Sequence, residues 1–190
     1  MHEISWQEIK GYASTGKVFR VAPRSIDGRP ILHLRPRHEN QVKDQVANVR
    51  HFAYQMEMAT RLADRVSPDG KIVVIIDYTD YSSAKNPPLS TTRKVLTILQ
   101  CHHPERLHEA ILFQPPRAFS MLWKMVSQFV DPVTKRKMVF LEKADAIAGL
   151  ATRCALLCAY FLDTSPLELF VFTIQEPGVF DALKHGFAVC

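Results

Sequence analysis

The run from Lys71 to Asp77, KIVVIID, is the sequence feature that most restricts the fold. It is apolar and largely β-branched throughout, which is typical of a strand whose two faces are both buried. Such a strand needs cover on both sides, and helices provide that cover in a parallel sheet. The turn signal Pro68-Asp69-Gly70 separates the run from what precedes it. The run therefore predicts a central strand of an α/β domain.

Other strands and helices alternate along the chain in the same way. Strands are predicted at Val18 to Ala22, Ile31 to Leu34, Ala110 to Phe113 and Lys135 to Leu141. Helices are predicted at Ile4 to Tyr12, Gln41 to Val66, Leu89 to His102 with Ser90 as N-cap, and Phe119 to Val130. This alternation predicts an α/β fold with a mostly parallel sheet flanked by helices and right-handed crossovers.

The predicted helix from Phe119 to Val130 lies between two strong stop signals. Pro115-Pro116 cannot continue a β-ladder, so the chain must leave the sheet there, and Asp131-Pro132 ends the helix. Large apolar residues recur at helical spacing, namely Phe119, Leu122, Trp123, Val126, Phe129 and Val130. Periodicity alone favours an ordinary helix that faces the core.

Several short motifs occur in a fixed order between Gly28 and Leu141. They are Asp27-Gly28-Arg29-Pro30-Ile31, Ile72 to Asp77, Asn86-Pro87-Pro88, Ile98-Leu99-Gln100, Pro104-Glu105-Arg106-Leu107, Pro115-Pro116, Phe119-Ser120, Trp123, Phe129, Asp131-Pro132-Val133-Thr134, Lys137 and Phe140. This ordered series resembles the CRAL-TRIO lipid-binding domain, and within that family it is most similar to the phosphatidylinositol/phosphatidylcholine-transfer proteins. The resemblance implies a CRAL-TRIO lipid-binding fold with a mobile gate helix over an apolar pocket.

The resemblance also implies a function and a set of site residues. The chain is expected to bind a phospholipid of the phosphatidylinositol or phosphatidylcholine class and to transfer it between membranes without covalent chemistry. The residues expected to form the gate and the pocket are Phe119, Met121, Leu122, Trp123, Met125, Val126 and Phe129. Ser120 matches a headgroup-contacting serine of relatives that bind phosphatidylcholine, although it could equally be a helix N-cap.

Lys135, Arg136 and Lys137 follow the gate, where some relatives contact acidic phosphoinositides. A solvated entrance to a strand would place basic residues there as well. Arg106 is expected to have a structural role, tying down a loop by hydrogen bonds.

Three segments are predicted. Residues 1–27 are a remnant N-terminal segment, where relatives carry a helical module, and residues 28–142 are the lipid-binding core. Residues 143–190 diverge from the family, which has a Gly-Gly pair near a further strand; a helix from Lys143 to Phe161 and a strand from Leu167 to Ile174 are predicted there. A minimal family member or a truncated gene product would explain the short N-terminal segment, and a gene-model error or alternative splicing would explain the divergent tail.

The composition fits a soluble globular domain of 190 residues with 47% hydrophobic residues. The N-terminus lacks a secretory signal pattern, so the expected location is cytoplasmic, peripheral at membranes. The formal net charge of +5 fits a transient anionic membrane surface better than nucleic acid, because no nucleic-acid motif accompanies it. The four cysteines match neither a disulfide framework nor a zinc site, and the chain is expected to be a monomer.

Two other functions remain open. A degenerate pocket would make the domain a scaffold or interaction module at membranes. More weakly, Asp77 and Asp80 after an apolar strand are compatible with a magnesium-dependent phosphate-handling enzyme, although no phosphate-binding glycine loop accompanies them. The histidines around Cys101 do not have the spacing of a standard metal site. We expect neither a cofactor nor a metal, and no enzymatic activity.

Overall fold

The computed structural model describes residues 4–21, 24–41, 44–82, 88–117, 119–142 and 145–154. Its five strands form one sheet in chain order: β1 (Val18–Val21), β2 (Ile31–Leu34), β3 (Ile72–Asp77), β4 (Leu107–Phe113) and β5 (Met138–Leu141). β1 is antiparallel to β2, and the other three pairs are parallel. The predicted α/β fold with a mostly parallel sheet is confirmed. The carboxyl ends of β2 to β5 therefore share one edge, called the carboxyl edge below.

Within these described ranges, six α-helices accompany the sheet: α1 (Trp6–Ala13), α2 (Gln45–Val66), α3 (Leu89–His102), α4 (Phe119–Val126), α5 (Pro132–Arg136) and α6 (Asp145–Ala151). The same ranges include the short 3-10 helices Pro36–Gln41 and Ser127–Phe129. The α2 helix begins where the Asp44 carboxylate accepts hydrogen bonds from the amides of Val46 and Ala47, which are among the otherwise unpaired donors of its first turn.

The two faces of the sheet have different cover. On one face, Leu32 and Ile72 are buried against Phe52 and Met56 of α2, with part of α3 beside them. On the opposite face, Ile31, Val73, Ile75 and Ile111 are buried against α6. The alternation of strand side chains explains the division, because neighbouring residues such as Ile31 and Leu32 point to opposite faces. The β3 run is thus covered on both sides, as its composition predicts.

Several predicted boundaries are wrong. The α-helix that begins at Phe119 ends at Val126 and tightens into the 3-10 turn Ser127–Phe129, whereas the spacing predicted a helix to Val130. The chain from Lys135 does not enter the strand directly, because α5 occupies Pro132–Arg136. Pro88 precedes α3 as its N-cap, so Ser90 lies inside the helix.

The C-terminal part follows the predictions less closely. Only Asp145–Ala151 of the helix predicted from Lys143 to Phe161 is helical within the described residues, and the turn after it reaches Cys154. The predicted strand from Leu167 to Ile174 lies outside the described residues.

Arg106 has the structural contacts expected of it, since it donates to the carbonyl of Gly70 at 2.9 Å and pairs with Asp64.

Candidate functional site

A cavity of about 620 Å³ lies between α2, α3 and α4 and part of the face of the sheet that α2 covers. Its wall consists mainly of apolar side chains, among them Leu34, Val74, Ile76 and Leu112 of the sheet, Phe52 and Met56 of α2, and Val95, Leu96 and Leu99 of α3. Pockets that bind small molecules usually measure about 300–1,000 Å³ and have this apolar character. The arrangement can therefore hold the apolar part of a ligand away from water.

Helix α4 lies over this cavity with an inner and an outer apolar face. Phe119, Trp123 and Val126, at spacings of four and three residues, line the cavity. Met121 and Met125 point outward, and 72% and 46% of their surfaces are exposed. A helix that is apolar on both faces is unusual at a protein surface, because the free energy falls when exposed apolar groups are removed from water. The side chain of Leu122 lies outside the described set.

An aromatic cluster, which we call the aromatic clasp, joins the start of α4 to the sheet. It consists of Tyr78, Phe119, Trp123 and Phe140. Phe119 lies 5.0 Å from Tyr78 and 6.1 Å from Phe140 between ring centroids, and Trp123 lies 5.9 Å from Phe140. Aromatic pairs at these separations each contribute about 0.5–1.5 kcal/mol beyond the burial of their surface. The clasp attaches the first turns of α4 to the sheet.

A second set of contacts, which we call the latch, holds the 3-10 turn after α4, Ser127–Phe129, to α3. The side-chain amide of Gln100 donates to the carbonyl of Phe129 at 2.9 Å, and the guanidinium of Arg93 lies 4.5 Å from the centre of the Phe129 ring. Phe129 thus contacts α3 and is not among the described residues that line the cavity. Sequence reasoning missed Arg93 and Gln100, because their partner is 29 or more residues away and no local pattern marks the contact.

Ser120 lies in the first turn of α4 with its side chain exposed. Its hydroxyl donates to the carbonyl of Arg117 at 3.2 Å. The helix begins at Phe119, so Ser120 is not its N-cap. Ser120 is not among the described residues that line the cavity. Its role as a headgroup contact stays a prediction.

The basic triplet is divided between two environments. Lys135 and Arg136 are exposed on α5, and Lys137, which lines the cavity, lies 3.4 Å from the Glu105 carboxylate between Nζ and Oε2. Asp131 caps α5, because its carboxylate accepts from the amide of Thr134 at 2.8 Å, and this hydrogen bonding lowers the pKa of Asp131. The membrane contact expected of the triplet stays a prediction.

A polar cluster that the sequence did not reveal lines the cavity near the carboxyl edge. Lys17 forms an ion pair with Glu39 and donates to the Asn48 side-chain carbonyl at 2.9 Å, while the Asn48 amide donates to Glu39 at 3.2 Å. Burial lowers the pKa of Lys17, and its contacts with Glu39 oppose that shift. Burial, followed by the charge of Lys17, lowers the pKa of the nearby His51 to about 4. The cluster is a polar end to an otherwise apolar space.

Asp77 and Asp80 do not form a pair of metal ligands. Asp77 is buried and accepts from Arg37 at 3.0 Å, so its charge is already compensated by a cation. Asp80 lies in the turn after β3 with a φ of 55°. Among the described residues, no group of three His, Cys, Asp or Glu side chains is close enough to hold a metal ion.

None of the helices in the described ranges is both long and apolar enough to cross a bilayer.

In a comparison against protein families, the CRAL/TRIO domain matches residues 15–156, a range that includes the sheet and the helices around the cavity. The chain belongs to the CRAL/TRIO family. The resemblance carried by the ordered motifs is thereby confirmed. The match includes β1, which lies before the predicted core boundary, and α6, which lies beyond it.

Among curated CRAL/TRIO relatives, a CRAL-TRIO domain-containing protein of Schizosaccharomyces pombe is 35% identical over 140 residues, covering 73% of this chain and 13% of the relative. The phosphatidylinositol transfer protein PDR17 of Saccharomyces cerevisiae is 34% identical over 121 residues, covering 60% of this chain and 33% of that protein. The chain thus spans a third or less of the length of these relatives. The crystal structure of Sfh5 has a similar fold, with a TM-score of 0.59 and 18% identity over 78% of this chain and 53% of that one.

Proposed function

We propose that this CRAL/TRIO domain binds one phospholipid of the phosphatidylinositol or phosphatidylcholine class and transfers it between membranes without covalent chemistry. The observation that carries the proposal is the apolar cavity of about 620 Å³ beneath α4. A relative named as a phosphatidylinositol transfer protein, 34% identical to this chain, supports the choice of ligand class. The proposed location is the cytoplasm, with transient binding of a monomer to membrane surfaces.

The gate follows from the energetics of extraction. An acyl chain that enters water costs about 0.8 kcal/mol for each CH₂ group, so the lipid must pass directly from bilayer to cavity. In the proposed mechanism, α4 swings away from the sheet while its outer residues Met121 and Met125 enter the bilayer. Burying each exposed methionine contributes up to about 1.5–3 kcal/mol. The membrane thus stabilises the open arrangement and water stabilises the closed one.

Charge would orient the domain during this step. Lys124 lies on α4 and is exposed, as are Lys135 and Arg136 on α5. A basic residue close to an anionic bilayer contributes about 1 kcal/mol. We therefore propose Lys135, Arg136 and Lys137 as membrane or phosphoinositide contacts and Ser120 as a headgroup contact that faces the lipid once the gate has moved.

The competing proposal, a scaffold with a degenerate pocket, requires side chains that fill the space beneath α4. The cavity volume favours the lipid-binding proposal. Mass spectrometry of an organic extract of the purified protein distinguishes the two, because a stoichiometric phospholipid is expected for a carrier and none for a scaffold.

Lipid transfer between liposomes tests the site residues. Ser120→Trp is expected to slow transfer by placing a bulky ring at the headgroup position. Lys135→Glu combined with Lys137→Glu is expected to slow transfer most from anionic donor vesicles. Arg61→Glu combined with Arg65→Glu, which reverses two exposed cations on α2, is the matched control for the charge reversal. Unchanged transfer in all of these variants would refute the headgroup and membrane assignments, though not the cavity itself.

A further inference from the structure

One end of the mostly apolar cavity contains a buried ion pair, Lys17 with Glu39, joined to the side chain of Asn48. All three residues line the cavity, and Glu39 and Asn48 are only 6% and 5% exposed. We call these three residues the polar triad. A buried ion pair is weak support for a fold, because apolar side chains of similar volume are often as stabilising or more so. The triad is therefore a candidate binding group for a ligand in the cavity.

Helix α2 places the triad at one end of an apolar stripe. Asn48, Phe52 and Met56 follow one another at intervals of four residues, so their side chains lie on the same face of the helix. Phe52 and Met56 are buried against the sheet and line the cavity. Asn48 begins this stripe, about 6 Å before Phe52 along the helix axis. An apolar ligand that contacts Phe52 and Met56 can therefore reach the triad with one of its ends.

The backbone around Lys17 is fixed on both sides. Its amide donates to the hydroxyl of Thr15 at 3.3 Å, in the turn after α1, and its carbonyl accepts from the amide of Arg35 at 2.7 Å. Glu39 lies in the 3-10 helix Pro36–Gln41 that leads from β2 towards α2. The triad is thus assembled from three separate parts of the fold, which hold its polar atoms in place before a ligand enters.

The triad has hydrogen-bonding capacity to spare. The Lys17 ammonium has three N–H groups, and among the described residues Glu39 and the Asn48 side-chain carbonyl accept from two of them. The Glu39 carboxylate has about four lone-pair sites, and it accepts from Lys17 at Oε2 and from the Asn48 amide at Oε1, 3.2 Å away. A ligand group can therefore both accept from Lys17 and donate to Glu39.

The charges of the triad favour an uncharged ligand group. The charges of Lys17 and Glu39 cancel, so a carboxylate or phosphate that gains from Lys17 is repelled by Glu39, and an ammonium group is repelled by Lys17. A hydroxyl group carries no charge and is both a donor and an acceptor. Its hydrogen bonds to two ionised partners are also stronger than those between neutral groups.

We propose that the polar triad binds the hydroxyl group of a neutral lipid whose apolar body lies along Phe52 and Met56. The inference rests on the cavity of the proposed function and adds a second class of ligand, an uncharged amphiphile with a hydroxyl end, which competes with phospholipid for the same space. The apolar wall holds the body of the ligand, and the triad decides which end group is accepted.

Three probes with the same saturated chain test the proposal. 1-Octadecanol has the hydroxyl, its methyl ether accepts a hydrogen bond but donates none, and octadecanoate is charged at about pH 8. Each is offered to the purified protein from cyclodextrin, and the amount retained after gel filtration is quantified by mass spectrometry. Wild-type protein is expected to retain the alcohol roughly ten- to a hundredfold better than the ether, which loses the charged hydrogen bond to Glu39. Octadecanoate is expected to be retained less well than the alcohol, because Glu39 repels it.

Two variants change this preference in different ways. Glu39→Gln leaves the Lys17 charge without its carboxylate, so octadecanoate is expected to be retained in preference to the alcohol. Lys17→Met with Glu39→Leu and Asn48→Leu removes every polar group of the triad, so the alcohol and the ether are expected to be retained about equally. Glu57→Leu with Arg61→Met removes the exposed ion pair of α2 and is the matched control, expected to keep the wild-type order.

Thermal melting without ligand separates recognition from folding. The triple variant is expected to melt no lower than wild type, because apolar side chains replace a buried ion pair. Glu39→Gln leaves a buried charge unpaired, and if it does not fold, the triple variant with the three probes carries the test. Competition for retained octadecanol distinguishes two sources of the hydroxyl group, cholesterol and diolein. Displacement by either supports the proposal and identifies the source, whereas displacement by neither overturns a membrane lipid as the ligand.

Different failures point to different errors. Equal retention of the alcohol and the ether by wild type, or an unchanged preference in the triple variant, overturns the hydroxyl site. If the same wild-type preparation retains dioleoylphosphatidylcholine from vesicles, the proposed function stands in that case. Preferential retention of the alcohol by wild type, without retention of any phospholipid, overturns the proposed function and supports the hydroxyl site.

Discussion

Breaking the latch is expected to open the gate more often. The latch consists of the Gln100 hydrogen bond to the Phe129 carbonyl and the Arg93 guanidinium over the Phe129 ring. A hydrogen bond contributes about 0.5–1.5 kcal/mol net, and an exposed cation–π contact about 0.5–1 kcal/mol. Because Gln100 is exposed, the lower parts of these ranges apply, and the pair stabilises the closed gate by about 1–2 kcal/mol.

This magnitude predicts a measurable change in population. Since 1.4 kcal/mol corresponds to a factor of ten, Arg93→Ala with Gln100→Ala is expected to raise the open fraction about five- to thirtyfold. If gate opening limits the rate, lipid transfer between neutral vesicles accelerates by a similar factor. Hydrogen exchange of the α4 amides reports the opening indirectly, because a short helix that has left the sheet loses its packing and more readily breaks the intrahelical hydrogen bonds that protect those amides.

Controls distinguish the latch from general destabilisation. Arg61→Ala removes an arginine from the exposed face of α2 and is expected to change neither transfer nor exchange in α4. A double-mutant cycle between Arg93 and Gln100 shows whether the two contacts act independently on Phe129. If exchange in α4 and the transfer rate both stay at wild-type values in the double variant, the latch does not hold the gate.

Two further predictions concern the membrane and the pH. Met121→Asp with Met125→Asp is expected to weaken vesicle binding at least tenfold, because two exposed apolar groups would no longer enter the bilayer. Ile147→Asp, on α6 at the opposite face of the sheet, is the control. Equal weakening by both changes would argue against α4 as the membrane contact. His51 has a pKa of about 4 in the folded protein, below its unfolded value of about 6.5, so the unfolded chain binds more protons between these values. The contribution of buried, neutral His51 to the free energy of unfolding is fully present above pH 6.5 and is lost as the pH falls towards 4, and the loss amounts to roughly 3 kcal/mol at most. The free energy of unfolding measured in urea should therefore depend less steeply on pH in His51→Gln than in wild type.

The sequence predicted the parts of the fold that are determined locally. The β3 run and the boundaries of α3 follow from composition and from periodicity over many residues. The α5 helix was missed although its signal was present, since Asp131 followed by Pro132 is an N-cap with proline at the first helical position as well as a stop for the preceding helix. A short helix directly after a longer one is hard to predict when one pair of residues both ends the first and starts the second.

The latch could not have been predicted from periodicity. Gln100 lies 29 residues before Phe129, and only the packing of the turn after α4 against α3 brings the two residues together. Considered locally, Arg93 and Gln100 are ordinary exposed polar residues of a helix. The resemblance of motifs predicted a gate at α4, whereas packing was needed to find which contacts attach this segment to α3 and to the sheet.

The two attachments of the gate differ in strength, and this difference predicts the direction of opening. The clasp buries Phe119 and joins it to Tyr78, which follows β3, and to Phe140 of β5, so its loss exposes large apolar surfaces as well as breaking ring contacts. The latch at Phe129 lies partly in water and loses far less. The C-terminal end of the gate should therefore release first, with the start of α4 as the pivot. Hydrogen exchange is expected to be faster at Val126 than at Trp123, and the reverse order would show that the clasp is the weaker attachment.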